Sequence, residues 1–160
     1  MIQIRELAEG DRADFLRLMK GLHDLHVEHR PDIYRPYDNS VMETYFSEML
    51  NQADGFALVT EEDGRVCGLC NVSFRSVVNP VAQPRRIAYL EDFCVDENFR
   101  GGGVGSLLFD AAKRRAIESG ADSIELMVWG FNEEARGFYE HKGMTERSRT
   151  MELKLHEPHE

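Results

Sequence analysis

The chain has 160 residues, 42% of them hydrophobic and 30% charged, with a formal net charge of -10, which suits one globular domain that buries a core without disulfides or metal. Scattered basic residues in an acidic chain exclude a general nucleic-acid binder and favour cationic small molecules. No apolar run is long enough to span a bilayer, no leader pattern opens the chain, and three cysteines fit a reducing compartment, so a cytoplasmic protein with no membrane partner is expected.

Ile2 to Arg5 reads as a short strand, and Asp11 with Asp14 as a capping start for a helix. Its stripe of Phe15, Leu18, Met19, Leu22, Leu25, His26 and His29 runs to Arg30, where Pro31 stops it. A proline-punctuated loop follows, then Ser40 and Glu43 form a capping box for a second helix carrying Met42, Tyr45, Phe46, Met49 and Leu50. Phe56 to Thr60 and Val66 to Phe74 are strands joined through Asp63-Gly64, a hairpin signature. Cys67 and Cys70 lie in the second strand, where an odd separation sends them to opposite faces as packing residues rather than a redox pair.

Asn79 to Pro84 interrupts the pattern before the central strand, Ile87 to Val95. Val104, Leu107, Leu108, Ala111 and Ala112 then make a helical stripe closed by Ser119-Gly120, and Ser123 to Val128 is a strand that a right-handed crossover makes parallel to the central one. Asn132 caps a helix containing Ala135, Phe138 and Tyr139, ended by Gly143. Arg147 to Leu155 alternates as a last strand with Met151, Leu153 and Leu155 on one side, and residues 156–160 form a solvated tail. The expected architecture is mixed α+β, with about six strands in the order β-α-α-β-β-β-α-β-α-β and helices on both sheet faces.

One stretch carries chemistry: a strand ending near Val95 leads through Arg100 and the glycine-rich run Gly101, Gly102, Gly103, Val104, Gly105 and Ser106 into a helix. Glycines let backbone N–H groups approach an anion, and the helix aims its positive end at the same point, so the stretch reads as a pyrophosphate cradle. A plain turn explains one or two glycines but not four in five residues opening a helix. A P-loop is excluded because no lysine follows, and a dinucleotide fingerprint because the turn lies late in the chain with Ser106 at the third-glycine position.

Arg100-Gly-Gly-Gly103-Val-Gly105 matches an Arg/Gln-x-x-Gly-x-Gly/Ala pattern, and Asn132-Glu-Glu-Ala135-Arg-Gly-Phe138-Tyr139 with Gly143 forms a second motif in the expected order. On these the chain resembles the GCN5-related N-acetyltransferase (GNAT) family, and its Tyr-Leu-Glu-Asp-Phe run resembles the polyamine and diamine branch. The resemblance implies acetyl-CoA between two splayed parallel strands. The pantetheine arm would pair with Phe93, Cys94 and Val95, the pyrophosphate would lie on Gly101 to Ser106 beside Arg100, and Asn132, Ala135 and Phe138 would flank the arm. It also places the acceptor against the first helix pair and its loop, where His26, Glu28, His29, Asp32 and Tyr34 lie.

An amine with a pKa near 10.4 is free base about 1 part in 2,500 at pH 7, equivalent to roughly 4–5 kcal/mol of barrier, so a base is needed. Glu91 interrupts the apolar central strand and matches the position of a family base or water-holding acid, while Asp92 is expected to point the other way as a structural group. Tyr139 matches the family's general acid to the CoA thiolate, with backbone N–H near Phe93 or Cys94 facing the oxyanion. Cys94 need not be a nucleophile. The expected function is acetyl transfer from acetyl-CoA to a primary amine of a small cationic acceptor, without metal. Protein N-termini or lysines are the acceptor variant, a non-catalytic acyl-CoA-binding module is the competing class, and the C-terminal strand edge suggests a homodimer.

Overall fold

The computed structural model describes residues 1–156, so the end of the expected tail lies outside the described residues. Its elements are β1 (Gln3–Glu6), α1 (Arg12–His29), α2 (Asn39–Leu50), β2 (Gly55–Glu62), β3 (Arg65–Asn79), β4 (Ala82–Val95), α3 (Val104–Glu118), β5 (Ser123–Glu125) and α4 (Glu133–His141). The sheet has five strands in sequence order, antiparallel from β1 to β4, with β5 parallel to β4. This is the mixed α+β class with one strand fewer than expected.

The missing strand is Arg147 to Leu155, which takes no regular structure. Its even positions are tied to the body, Glu152 to Arg30 at 2.9 Å and Lys154 to Asp32 at 3.6 Å. Its odd positions Met151, Leu153 and Leu155 are 90%, 84% and 81% exposed. The apolar alternation is present, but among the described residues nothing covers the apolar side.

Both helix starts also differ from expectation, because side-chain oxygens find other donors. Asp11 accepts from Arg5 at 2.8 and 2.9 Å and Asp14 from the Val66 N–H at 3.1 Å, so neither caps α1. Asp38 caps α2 through the Ser40 and Val41 N–H groups, displacing the expected Ser40 box by two residues. The hairpin between β2 and β3 forms as expected, with φ of 51° at Asp63 and 78° at Gly64, the two positive angles of a tight primed turn. β3 and β4 run on as a ribbon to Asn79 and Ala82. Pro84 fits there because β5 pairs with β4 only from Ile87 onward, leaving the edge at Pro84 without a ladder to feed.

Alternation along β2 and β3 splits the core in two. Ala57, Val59 and Leu69 pack under α1 and α2 with Phe15, Phe46 and Met49. Phe56, Leu58, Cys70 and Val72 pack under α3 with Leu108, Ala112 and Ala116. All three cysteines are free, and Cys67 sits against the Thr60 hydroxyl at 3.3 Å. Among the described residues no helix is long and apolar enough to cross a membrane.

Candidate active site

β4 and β5 pair only at Ile87, Ala88 and Tyr89. Beyond that point the two chains part, and a cleft of about 650 Å³ opens between Leu90–Phe93 on one side and Leu126–Trp129 on the other. Its remaining walls come from α1, Tyr34, α2 and the first turns of α4. The edge of β4 facing the cleft therefore carries backbone groups that no strand has taken up, which suits an extended polar chain seeking main-chain partners.

At the far end of β4, Asp96 is buried, caps the following turn by accepting from the Asn98 N–H at 3.0 Å, and pairs with the Arg17 guanidinium of α1. Arg17 also donates to the Val66 carbonyl at 2.8 Å, so one guanidinium ties α1, β3 and the turn together. The chain then makes the glycine run, with φ of 83° at both Gly101 and Gly103. Gly103 is the N-cap of α3 and has no side chain to occupy the free N–H groups, leaving them for an anion. Arg100 folds back to donate to the Val95 carbonyl at 3.2 Å, beside this helix end.

α4 closes the cradle from the other side. The Asn132 side chain accepts from the Ala135 N–H at 3.2 Å, capping the helix as expected. A Cβ at Gly105 would stand 3.4 Å from the Phe138 ring and 3.5 Å from Val95, ordinary contact distance, so α3 lies directly against both and a longer side chain there would press into them. Phe93 stacks on Phe138 at 5.4 Å between ring centres. Lys142, absent from the sequence reading, donates to the Ser106 hydroxyl at 2.8 Å and pairs with Asp110 at 2.6 Å, fastening α4 to the first turns of α3. A lysine just past a helix end reads as an ordinary dipole partner, and only tertiary packing assigns it here. Glycines, free helix N–H groups and an open strand edge, successive along the chain from β4 to α3, fit a CoA-like ligand.

Tyr139 lines the cleft, half-buried, and burial pushes its phenol well above the ordinary value, with the Cys70 and Cys94 thiols adding to the effect. Burial likewise pushes the Cys94 thiol up to about 12, with the Asp92 carboxylate contributing. Both anions are disfavoured, which makes Cys94 a poor nucleophile.

The pairing register places a bulge in β4: Asn71 faces Asp92 and Val72 faces Leu90, so Glu91 has no partner on β3. The expectation that Asp92 points away from Glu91 is corrected here, because the extra residue lets both line the cleft. Glu91 accepts from the Ser73 hydroxyl at 2.6 Å and the Arg75 guanidinium at 2.8 Å on one oxygen. Asp92 accepts from the Tyr45 hydroxyl and, at 3.3 Å, from the Asn71 amide. Burial pushes its carboxyl up, against the lowering pull of those two donors.

Of the five expected acceptor residues, His26 and Tyr34 line the cleft. His29 stacks on Phe131 at 4.3 Å, Glu28 is exposed, and Asp32 pairs with Arg30 at 2.7 Å, which holds its carboxyl below the usual range. The sequence reading gave no role in the cleft to His23, Tyr45, Glu48 and Trp129, which also line it. Trp129 donates to the Tyr34 hydroxyl at 2.8 Å, making a linked aromatic wall. The one available signal was that Trp129 is the only tryptophan in the chain and lies between two motifs.

Comparison with known proteins adds to this geometry. The profile of the acetyltransferase (GNAT) family matches residues 20–144. A thialysine N-epsilon-acetyltransferase of Bos taurus is 27% identical over 89% of this chain and 83% of its own length. An uncharacterized N-acetyltransferase of Archaeoglobus fulgidus is 26% identical over 86% of this chain and 89% of its own. Among solved structures, a mutant of the BH1408 protein of Bacillus halodurans superposes with a TM-score of 0.92 at 32% identity, covering 96% of this chain and 99% of that one. An aminoglycoside N-acetyltransferase, AAC(6')-Iy, in complex with CoA shares the fold, with a TM-score of 0.78 at 18% identity over 96% of this chain and 94% of its own.

Proposed function

The chain belongs to the acetyltransferase (GNAT) family and is an acyltransferase, and from that premise we propose that it moves an acetyl group from acetyl-CoA to the primary amine of a small cationic acceptor. Acetyl-CoA supplies the activated acyl group. The N–H groups of Gly101 to Ser106, with Arg100, hold the pyrophosphate, and the open edge at Phe93, Cys94 and Val95 takes the pantetheine arm between Asn132, Ala135 and Phe138. A backbone N–H of Phe93 or Cys94 faces the charge that builds on the acetyl oxygen. Tyr139 gives its proton to the departing sulfur. Its raised phenol is a weak acid, so the transfer relies on the same desolvated wall making the thiolate an equally poor anion. The amine's proton leaves toward the bulge, where the carboxylates Glu91 and Asp92 line the cleft side by side.

The observation that carries this reading is the parting of β4 and β5 beyond Tyr89, where Tyr139 and the bulge carboxylates line one cleft. The acceptor class follows from the other wall, where Glu48, Glu91 and Asp92 stand with Tyr34 and Trp129, carboxylates and aromatic faces that both attract an ammonium group. A relative named for thialysine, an amine, agrees with it. The uncovered row Met151, Leu153 and Leu155 is in this reading the surface on which a second copy of the chain sits. Light scattering that gives the mass of one 18.4 kDa chain at all concentrations would overturn that part.

The test of function is release of CoA thiol from acetyl-CoA across polyamines, amino acids, aminoglycosides and peptides. A small amine is expected to accelerate release, and Tyr139→Phe to lower kcat by about 100-fold with the KM for acetyl-CoA little changed. Tight CoA binding with no amine accelerating release would sink the proposal in favour of a binding module.

A further inference from the structure

We propose that Asp92, rather than its neighbour Glu91, is the base that takes the proton from the acceptor amine, and that Tyr45 and Asn71 are the residues that position it. The assignment rests on the reading above. The two oxygens of Asp92 are not equivalent. Both donors to Asp92, the Tyr45 hydroxyl and the Asn71 amide, reach Oδ2. Among the described residues no buried side-chain oxygen lacks a partner, and no donor reaches Oδ1, so Oδ1 is the oxygen left open to the cleft. Asn71 is itself buried and held by Gln52, which donates to its Oδ1 at 3.0 Å, so the amide has one orientation and its Nδ2 points at the carboxylate. The chain Gln52, Asn71, Tyr45 thus locks one oxygen of Asp92 and aims the other.

Glu91 is placed for a different task. It is exposed, and its Oε1 already takes a hydroxyl and a guanidinium. Arg75 stacks on the Tyr89 ring at 3.5 Å, which keeps that cation in place. Glu91 thus faces a fixed cation rather than the acceptor, whereas Asp92 stands in a desolvated wall whose burial favours the protonated carboxyl against the pull of its two donors. The groups around Asp92 are Tyr45 on α2, Asn71 on β3, Glu91 beside it on β4, His26 on α1, and the thiols of Cys70 and Cys94. Burial raises the carboxyl in this setting.

The acceptor nitrogen must lose two protons to become an amide. The first N–H bond breaks toward Asp92, its electron pair stays on nitrogen for the attack, an O–H bond forms on Oδ1, and that proton later leaves to water through the cleft mouth. The nitrogen–carbonyl bond forms, the carbon–sulfur bond breaks with its electron pair left on sulfur, and the second N–H proton reaches that sulfur by way of Tyr139. Atoms and charge balance with no further reactant.

The test compares wild type with Asp92→Asn, Glu91→Gln and Tyr45→Phe, using the panel amine with the highest kcat/KM, from about pH 6 to about pH 10, with CoA binding by calorimetry and thermal midpoints measured alongside. Asp92→Asn should lower kcat/KM by about 10²- to 10³-fold at pH 7, and the loss should shrink toward pH 10, where solution supplies the amine as free base. Its CoA affinity should match wild type and its thermal midpoint should hold or rise, because a buried charge is removed. Tyr45→Phe should shift the acidic limb of the pH profile upward, since a donor to the ionised form is lost. Glu91→Gln should lose less than about tenfold. A larger loss in Glu91→Gln, an Asp92→Asn loss equal at every pH, or an Asp92→Asn protein that melts early or fails to fold would each overturn the assignment. A wild type that releases no thiol with any amine overturns the functional reading and the assignment together, whereas release that survives Asp92→Asn overturns the assignment alone.

Discussion

The wall of the proposed cofactor site beside α3 and α4 is made from backbone and apolar contact: positive-φ glycines, free helix N–H groups, and Gly105 against Phe138. The wall beside α1 and α2 is made from side chains that meet across long stretches of chain. Tyr45 and Asp92 lie 47 positions apart, and Tyr34 and Trp129 lie 95 apart. In the proposed reading a cradle of backbone serves any ligand that carries the same pyrophosphate, so it tolerates change on its surface and little at its points of close approach. A wall of converging side chains can be altered one residue at a time, which is how acceptor choice varies on a constant scaffold.

The largest effect that separates the two walls is expected at Gly105. A leucine there would push into the Phe138 ring and Val95, which a bare Cβ would already meet at 3.4 and 3.5 Å. Overpacking of this kind costs about 1–3 kcal/mol of stability, and the displaced α4 should raise the Kd for CoA by about 100-fold, equivalent to roughly 2.7 kcal/mol. Gly105→Leu should leave the Tyr45–Asp92 contact in place, since neither residue lies on α3 or α4. Calorimetry with CoA checks the prediction, and an affinity within about threefold of wild type would show that the two walls are not separately built.

That division also explains which parts were readable before the structure. The glycine turn and the Asn132 helix start are local: each motif's residues are contiguous, and the backbone angles they impose are intrinsic to glycine and to an N-cap. The mixed fold followed from the period of the apolar residues. The bulge at Glu91 had no such marker, as neither glycine nor proline stands there, and without it strand alternation sends Asp92 to the wrong face. Tyr45 falls on the same stripe as Phe46 and Met49 and reads as core until Asp92 is seen against its hydroxyl. Met151, Leu153 and Leu155 alternate as a strand would, but the pattern records only that one side must be covered and not by what.

A smaller effect lies where the two walls join. Arg17 of α1 belongs to the acceptor side and Asp96 leads into the cradle, and their ion pair is the covalently distant link between them. Burial pushes the Asp96 carboxyl up, but the Asn98 N–H and the Arg17 guanidinium outweigh it and hold the group below its ordinary value of 3.8. The native state therefore binds fewer protons than the unfolded chain near that pH. This contribution to stability is fully present above about pH 4 and is lost as pH falls through the folded-state value. Asp96→Asn keeps an acceptor for the Asn98 N–H but leaves Arg17 without its buried counter-charge, for an expected loss of about 2–3 kcal/mol at pH 7. The same variant should lose less stability than wild type on going from pH 7 to pH 3, because the group that titrates is gone. Urea unfolding at the two pH values checks both signs. If the turn is the junction of the walls, Asp96→Asn should also raise the KM for acetyl-CoA by several-fold while the KM for the amine stays constant. A change in the amine KM of the same size would show that Arg17 transmits the disturbance through α1 to the acceptor wall.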